Sequence, residues 1–165
     1  MTEPGVYDKA KYHYDDDFPS DLEVEQGFVH TGMFLGWLID HGLYSDWFGK
    51  ELSRYTSAFK AREMTGAKVF EACDGVLTAD MLSEEGNAFA RDYFDFERGT
   101  YLRDYGELLG KGLPTIYHVA DNWANYARLK KRIDKRYRKW RRKRRFKAIF
   151  AKLRPPREGA TKFLN

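Results

Sequence analysis

The sequence predicts a mainly α-helical protein: a compact helical domain, a little extended structure and a long basic C-terminal helix. Hydrophobic residues make up 42% of the 165 residues and aromatic residues 16%, which is enough apolar surface for a packed core. Apolar residues recur at spacings of three and four in several segments, the period of an amphipathic helix. Basic residues are concentrated near the C-terminus, which sets the last helix apart from the rest.

The formal net charge of +4 hides a separation of charge along the chain. From residue 128 onward there are 18 Lys and Arg residues and two acidic residues, a net charge of +16. The first 127 residues carry 11 basic and 23 acidic residues, a net charge of −12. This asymmetry indicates that the C-terminal segment meets an anionic surface, either of a partner or of the chain's own acidic domain.

The N-terminal segment, residues 1–26, is predicted to be irregular or extended, with a possible short strand at 12–14. The first helix is predicted from Thr31 to Gly42. Thr31 is a good N-cap residue, and Gly42 suits the left-handed position that follows a helix end. Because apolar side chains cover most of its circumference, this helix should lie at the centre of the core.

Four further helices are predicted before the C-terminal one. Apolar periodicity, capping residues and glycines place them at about 45–61, 66–74, 84–94 and 100–109. Segment 113–119 contains a proline and β-branched residues, so it is predicted to be extended.

The last helix is predicted to begin at Trp123 and to carry two apolar stripes. The first can dock on the domain and consists of Tyr126, Leu129, Ile133, Tyr137 and Trp140. The second, from Phe146 to Leu153, is rotated away from the first. We therefore divide the chain into a helical domain, residues 1–140, and a basic helical arm with a frayed tail, residues 141–165.

Several short strings together resemble an uncharacterised family of small bacterial proteins, a domain of unknown function, over roughly residues 7–140. The resemblance implies a bacterial cytoplasmic protein and no known reaction. Small bacterial domains of this kind often prove to be immunity proteins that neutralise a toxin. The strings are Tyr7–Ala10, Tyr12–Tyr14, Asp17–Pro19, His30–Trp37, Ala72–Gly75, Asp80–Ala90, Tyr101–Tyr105, Leu113–Val119 and Trp123–Tyr126.

Several features that the sequence lacks suggest the cellular compartment of the protein. Its one cysteine, Cys73, cannot form an intrachain disulfide, which is typical of a reducing compartment. The first residues have no basic start followed by an apolar run, and the longest apolar stretch is far shorter than the roughly 20 residues that span a bilayer. These features predict a cytoplasmic protein without a transmembrane segment.

An acidic cluster near the N-terminus is the first candidate site. Its carboxylates could bind a metal, but the spacing of a calcium loop is absent. A solvated loop is the simplest interpretation, and a face that meets a basic cleft in a partner protein is the third. On that last interpretation the residues that face the partner are Asp15, Asp16, Asp17 and Asp21.

The four histidines show no metal-ligand spacing. His118 lies near Asp121 in sequence, and such a pair could serve acid–base chemistry. The sequence around this pair shows no serine or cysteine in the setting of a nucleophile, so buried histidines bonded to the backbone are the favoured interpretation. Cys73 is interpreted as an inert core thiol. The sequence thus predicts no catalytic residue, no metal ligand and no cofactor.

The basic run in the last helix is the strongest local feature. Such a run binds phosphates by charge, and the aromatic residues beside it could stack on bases or enter a membrane surface. Docking on an acidic protein surface and a solvated tail are the alternatives. The predicted anion-binding residues are Arg138, Lys139, Arg141, Arg142, Lys143, Arg144 and Arg145.

The leading hypothesis is a non-enzymatic immunity-type protein that occludes the active site of a cognate toxin. The second is a protein that binds nucleic acid or an anionic surface through the basic helix. The third is an enzyme that uses His30 or His118 with a nearby carboxylate.

Overall fold

The structure, a computed structural model, describes residues 5–14 and 18–153. Within them the chain is mainly α, as predicted, with two short strands and several 3-10 turns. The elements are β1 (Val6–Lys9), α1 (Val29–Asp40), α2 (Asp46–Glu51), α3 (Ser53–Lys60), α4 (Gly66–Ala72), β2 (Val76–Thr78), α5 (Glu84–Tyr93), α6 (Tyr101–Leu109) and α7 (Trp123–Leu153).

Helix α1 is the central helix of the core. Every residue from Val29 to Ile39 is buried, as its apolar circumference predicted. The helix begins at Val29, so the prediction that Thr31 caps it is wrong. The Thr31 hydroxyl instead donates a hydrogen bond to the buried carboxylate of Asp8. Gly42 follows the helix with a φ of +63°, the left-handed conformation expected there.

Two glycines allow α1 and α4 to pack almost backbone against backbone. A Cβ atom on Gly32 would collide with the backbone of Ala67, and one on Gly66 would collide with the carbonyl of Gly32. Helix packing this close needs a residue without a side chain on each surface. The α1–α4 pair is therefore packed too closely to accept a side chain at either glycine.

The N-terminal segment is held to the domain by strand pairing. β1 runs antiparallel to β2, with Asp8 opposite Leu77 and Lys9 opposite Val76. A 3-10 turn at 10–13 follows β1 directly, so the short strand predicted at 12–14 is wrong. This turn carries His13 back toward α1.

Two other predicted elements differ from the structure. The helix predicted at 45–61 is two helices, α2 and α3, which separate at Leu52 (φ −109°, ψ 23°). Segment 113–119 contains a 3-10 turn at Ile116–His118 rather than a purely extended chain. The predicted helix starts near residues 45, 66 and 84 agree with the structure, where Ser45, Thr65 and Ser83 each accept a backbone N–H from the first turn.

Helix α7 has a docked half and an exposed half. Tyr126, Leu129, Ile133 and Tyr137 are buried, and the indole Nε1 of Trp140 donates to Asp92 at 2.7 Å. Every residue from Arg141 to Leu153 is exposed. None of the described helices combines the length and the apolar character needed to cross a membrane.

Candidate functional site

Three chemically active side chains meet where β1, the 10–13 turn and α1 come together. The Nε2 atom of His13 lies 2.9 Å from Oδ1 of Asp8 and 3.3 Å from Nε2 of His30. Nε2 of His30 lies 3.9 Å from Oδ2 of Asp8. We call these three residues the His–Asp cluster.

A surrounding layer of hydrogen bonds orients the His–Asp cluster. Thr31 donates to Oδ2 of Asp8, and the Tyr117 hydroxyl lies 3.1 Å from Nδ1 of His13. Gln26 in turn donates to the carbonyl of Tyr117 at 2.8 Å. Oδ2 of Asp8 and Nδ1 of His13 are thus held by groups outside the cluster. Oδ1 of Asp8 and Nε2 of His13 face each other, and Nε2 of His13 also faces His30.

The His–Asp cluster is largely shielded from solvent. The side chains of Asp8 and His30 are 1% and 2% exposed, and that of His13 is 12% exposed. Burial, reinforced by the charge of His13 and only partly opposed by Asp8, lowers the pKa of His30 to about 4. His30 is therefore neutral at pH 7, the form in which imidazole offers a lone pair.

The structure changes three predictions about the histidines. His13 and His30, which show no ligand spacing in the sequence, lie in contact. His118 pairs with Asp21 at 3.2 Å instead of with Asp121, whose carboxylate accepts a hydrogen bond from Thr65. Contacts among the described residues bear out a bond to the backbone for one histidine, His41, whose Nδ1 atom lies 2.9 Å from the carbonyl of Trp37.

The predicted acidic face is only partly described. Asp15, Asp16 and Asp17 lie outside the described residues. Asp21 is 73% exposed, and its carboxylate faces His118. Beyond it, Glu23 and Glu25 are exposed on either side of Val24, which is 56% exposed. The Tyr14 hydroxyl donates to the carbonyl of Val24 at 2.8 Å. We call Tyr14, Asp21, Glu23, Val24 and Glu25 the acidic patch.

The exposed half of α7 is both basic and apolar. Residues 141–153 contain seven basic residues and no acidic residue. Four large apolar side chains, which we call the apolar tip, project from the same segment with 53–71% of their surface exposed. The apolar tip consists of Phe146, Ile149, Phe150 and Leu153.

The predicted anion-binding residues occupy two environments. Arg141 and Arg144 turn back toward the domain: Nε of Arg141 lies 3.3 Å from Glu85, and the guanidinium of Arg144 stacks 4.8 Å from the ring centre of Trp140. The other five are exposed along the helix; these are Arg138, Lys139, Arg142, Lys143 and Arg145.

Comparison with known proteins places the chain in a family. Residues 6–119 match the family described as a domain of unknown function, DUF7832, and the chain belongs to that family. The predicted resemblance to an uncharacterised family is thus confirmed. The matched region contains the His–Asp cluster and the acidic patch, and it ends before α7. No curated protein matches the chain, and neither does any solved structure.

Proposed function

We propose that the protein binds an anionic lipid surface through α7. The observation that carries the proposal is the exposed apolar tip, set in a segment with seven basic residues and no acidic one. Monomeric soluble proteins rarely expose a contiguous group of large apolar side chains without a partner. A helix with an apolar stripe and Lys or Arg beside it is typical of helices that lie in a membrane interface.

The geometry of α7 suits this role because its outward face is continuous. The exposed residues Lys131, Lys135, Arg138 and Arg142 follow one another at spacings of three and four, and the row continues through the apolar tip. At about 100° per residue, these four basic residues lie on average roughly 165° around the helix from the docked side chains. The helix can therefore lie on a flat surface with the domain on its far side.

The two kinds of side chain contribute together to binding. A basic residue near an anionic membrane surface contributes about 1 kcal/mol, and burial of a large apolar side chain contributes about 1.5–3 kcal/mol. Stable attachment generally requires two such signals. Salt screens the electrostatic attraction between the row of basic residues and the lipid headgroups. It does not screen the free energy gained when the apolar tip is buried.

The apolar tip also distinguishes lipid from nucleic acid. Phosphates in a nucleic acid would be bound by the basic row, and Phe146 and Phe150 could stack on bases. Ile149 and Leu153 have no ring to stack and remain 53% and 71% exposed. Hydrocarbon accommodates all four side chains, so the observations favour lipid.

Vesicle flotation tests the proposal. The protein should float with phosphatidylglycerol-containing vesicles and stay behind with pure phosphatidylcholine vesicles. Replacement of Phe146, Ile149, Phe150 and Leu153 by Ser should weaken binding at least about 10-fold, whereas the control Ala148→Ser/Ala151→Ser should not. No binding by the wild type would contradict the proposal. Equal binding of duplex DNA by the wild type and the quadruple variant would favour nucleic acid instead.

We also propose a second candidate, the immunity-type function, in which the domain occludes the active site of a cognate toxin in the cytoplasm. The acidic patch favours it, because exposed carboxylates around Val24 and Tyr14 complement a basic cleft. Such a partner would be steered by charge and anchored by the aromatic ring.

Co-expression with the product of the neighbouring gene tests this second candidate. The chain should relieve toxicity and form a complex, and Asp21→Asn/Glu23→Gln/Glu25→Gln should weaken it at least about 10-fold. Asp46→Asn/Glu51→Gln, which removes exposed acids in α2, is the matched control. A neighbour that is neither toxic nor bound would contradict this candidate.

A further inference from the structure

We propose that Asp8, His13 and His30 form a binding site for a divalent transition metal, and that zinc is the ion that suits these ligands. Two imidazole nitrogens and one carboxylate oxygen are a ligand set that proteins use for zinc and related metals. The three donor atoms lie within 4.8 Å of one another. This proposal departs from the prediction of no metal ligand, which relied on spacing in the sequence.

Two of the three distances between the ligand groups match those around a shared ion. Nitrogen and oxygen ligands lie about 2.0–2.2 Å from zinc, so two of them at 90–110° from each other are about 2.9–3.4 Å apart. Nε2 of His13 lies 2.9 Å from Oδ1 of Asp8 and 3.3 Å from Nε2 of His30. Both distances fall in that range, and the two imidazole rings are nearly perpendicular, at 89°. The third separation, 3.9 Å from Nε2 of His30 to Oδ2 of Asp8, is longer and would shorten on binding of an ion.

The proton on Nε2 of His13 cannot satisfy both of its neighbours, which also favours a cation at this place. A ring nitrogen carries at most one proton, yet Nε2 of His13 faces both the Asp8 carboxylate and Nε2 of His30. If that proton points at Asp8, Nε2 of His30 faces a nitrogen whose proton is directed elsewhere. The hydrogen bond between the two rings is then poorly directed. A cation would accept lone pairs from all three atoms at once, and so removes this conflict.

The surrounding hydrogen bonds are those that a metal site needs. Ligand side chains are usually held through the atom that does not touch the metal. Here Thr31 occupies Oδ2 of Asp8, and the Tyr117 hydroxyl occupies Nδ1 of His13. The hydroxyl of Tyr101 donates to the backbone carbonyl of His30, which fixes that turn of α1.

The position of the site points to a structural role. The ion would join β1 and the turn after it to α1, linking residues far apart in the sequence to the central helix. Because Asp8 and His30 are almost fully buried, a large substrate has no access to them. Three protein ligands leave a fourth position for water or another small ligand.

Metal titration of the untagged full chain tests the proposal. After treatment with a chelator, the protein should bind one zinc ion per chain, and zinc should raise the midpoint of thermal unfolding by about 5 °C or more. Asp8→Asn and His30→Gln should each lose this binding and this shift. His118→Gln, which alters a histidine outside the cluster, should keep both.

Two results would overturn the proposal. One is a folded wild-type protein that takes up no zinc in the titration, a result that does not depend on how well any variant folds. The other is undiminished uptake by the folded double variant His13→Gln/His30→Gln. Cobalt(II) in place of zinc gives a second readout, since its absorption spectrum reports nitrogen and oxygen ligation in the wild type and should vanish in that variant.

Discussion

Arg136 and Asp104 form a two-pronged ion pair that holds α7 to α6. Nε of Arg136 donates to Oδ2 of Asp104 at 2.7 Å, and Nη2 donates to Oδ1 at 2.6 Å. Asp104 is completely buried and also accepts hydrogen bonds from Arg132 and Tyr93. This ion pair fixes the docked half of α7, and with it the direction in which the exposed half projects.

Removal of the Arg136 side chain should destabilise the fold. In Arg136→Met the buried carboxylate loses two charge-assisted hydrogen bonds while Arg132 and Tyr93 remain, so we expect a loss of about 2 kcal/mol. Unfolding in urea measures this loss of stability. Arg138→Met, two residues away and exposed, is the matched control and should change the free energy of unfolding by less than about 0.5 kcal/mol. Equal effects of the two substitutions would contradict the structural role of the pair.

The same carboxylate should make stability depend on pH. Burial would raise the pKa of Asp104, but the hydrogen bonds from Arg136, Tyr93 and Arg132 outweigh burial and lower it. A lowered pKa in the folded state gives stability that is present above the unfolded value of about 3.9 and is lost as the pH falls through the folded value. The difference in free energy of unfolding between wild type and Asp104→Asn should therefore be largest at neutral pH. It should shrink below about pH 4, and a difference that grows with acidity would show that the pKa is not lowered.

Replacing a glycine by alanine should have opposite effects on stability at a close contact between two helices and at an ordinary helical position. Gly32→Ala would force α1 and α4 apart, and we expect a loss of about 2–3 kcal/mol. Gly106→Ala places its methyl group at an ordinary 3.6 Å from Ile116 inside α6, so helix propensity should stabilise the protein by about 0.5–1 kcal/mol. Thermal unfolding of both variants checks the contrast, and a stabilising Gly32→Ala would contradict the packing of α1 on α4.

Cys73 should react slowly with thiol reagents. Burial, assisted by the charge of Asp74, raises the pKa of Cys73 to about 11. Little thiolate is then present at pH 7, and we expect reaction at least about 100-fold slower than that of a free cysteine. The rate with a coloured disulfide reagent measures this directly. It should rise to the free-cysteine rate in denaturant, and a fast native reaction would show that the thiol is not shielded.

Local signals in the sequence were sufficient for much of the fold. Helix starts near residues 45, 66 and 84 could be predicted, because the residues that cap them, Ser45, Thr65 and Ser83, act within a single turn. The all-apolar circumference of α1 predicted its burial. The break at Leu52 could not be predicted, since neither proline nor glycine stands at positions 51–53 and the apolar spacing continues through it.

The His–Asp cluster depends on contacts that spacing does not encode. Asp8 reaches α1 only because β1 pairs with β2, a partner about 70 residues away. His118 likewise finds Asp21 across 97 residues. One signal was available: Thr31 is a polar residue at the start of a helix predicted to be buried all round, with His30 directly before it, and buried polar side chains need partners.

Attachment of α7 to an anionic lipid surface is tested most directly by fluorescent labelling along the helix. In a Cys73→Ala background, an environment-sensitive dye is placed at one position at a time. The positions on the apolar tip are 146, 149, 150 and 153, and those on the opposite side of the same segment are 144, 148 and 151. On addition of phosphatidylglycerol vesicles, emission should shift to the blue at the first group and stay unchanged at the second, following the period of the helix. An equal shift in both groups, or no shift in either, would contradict the account.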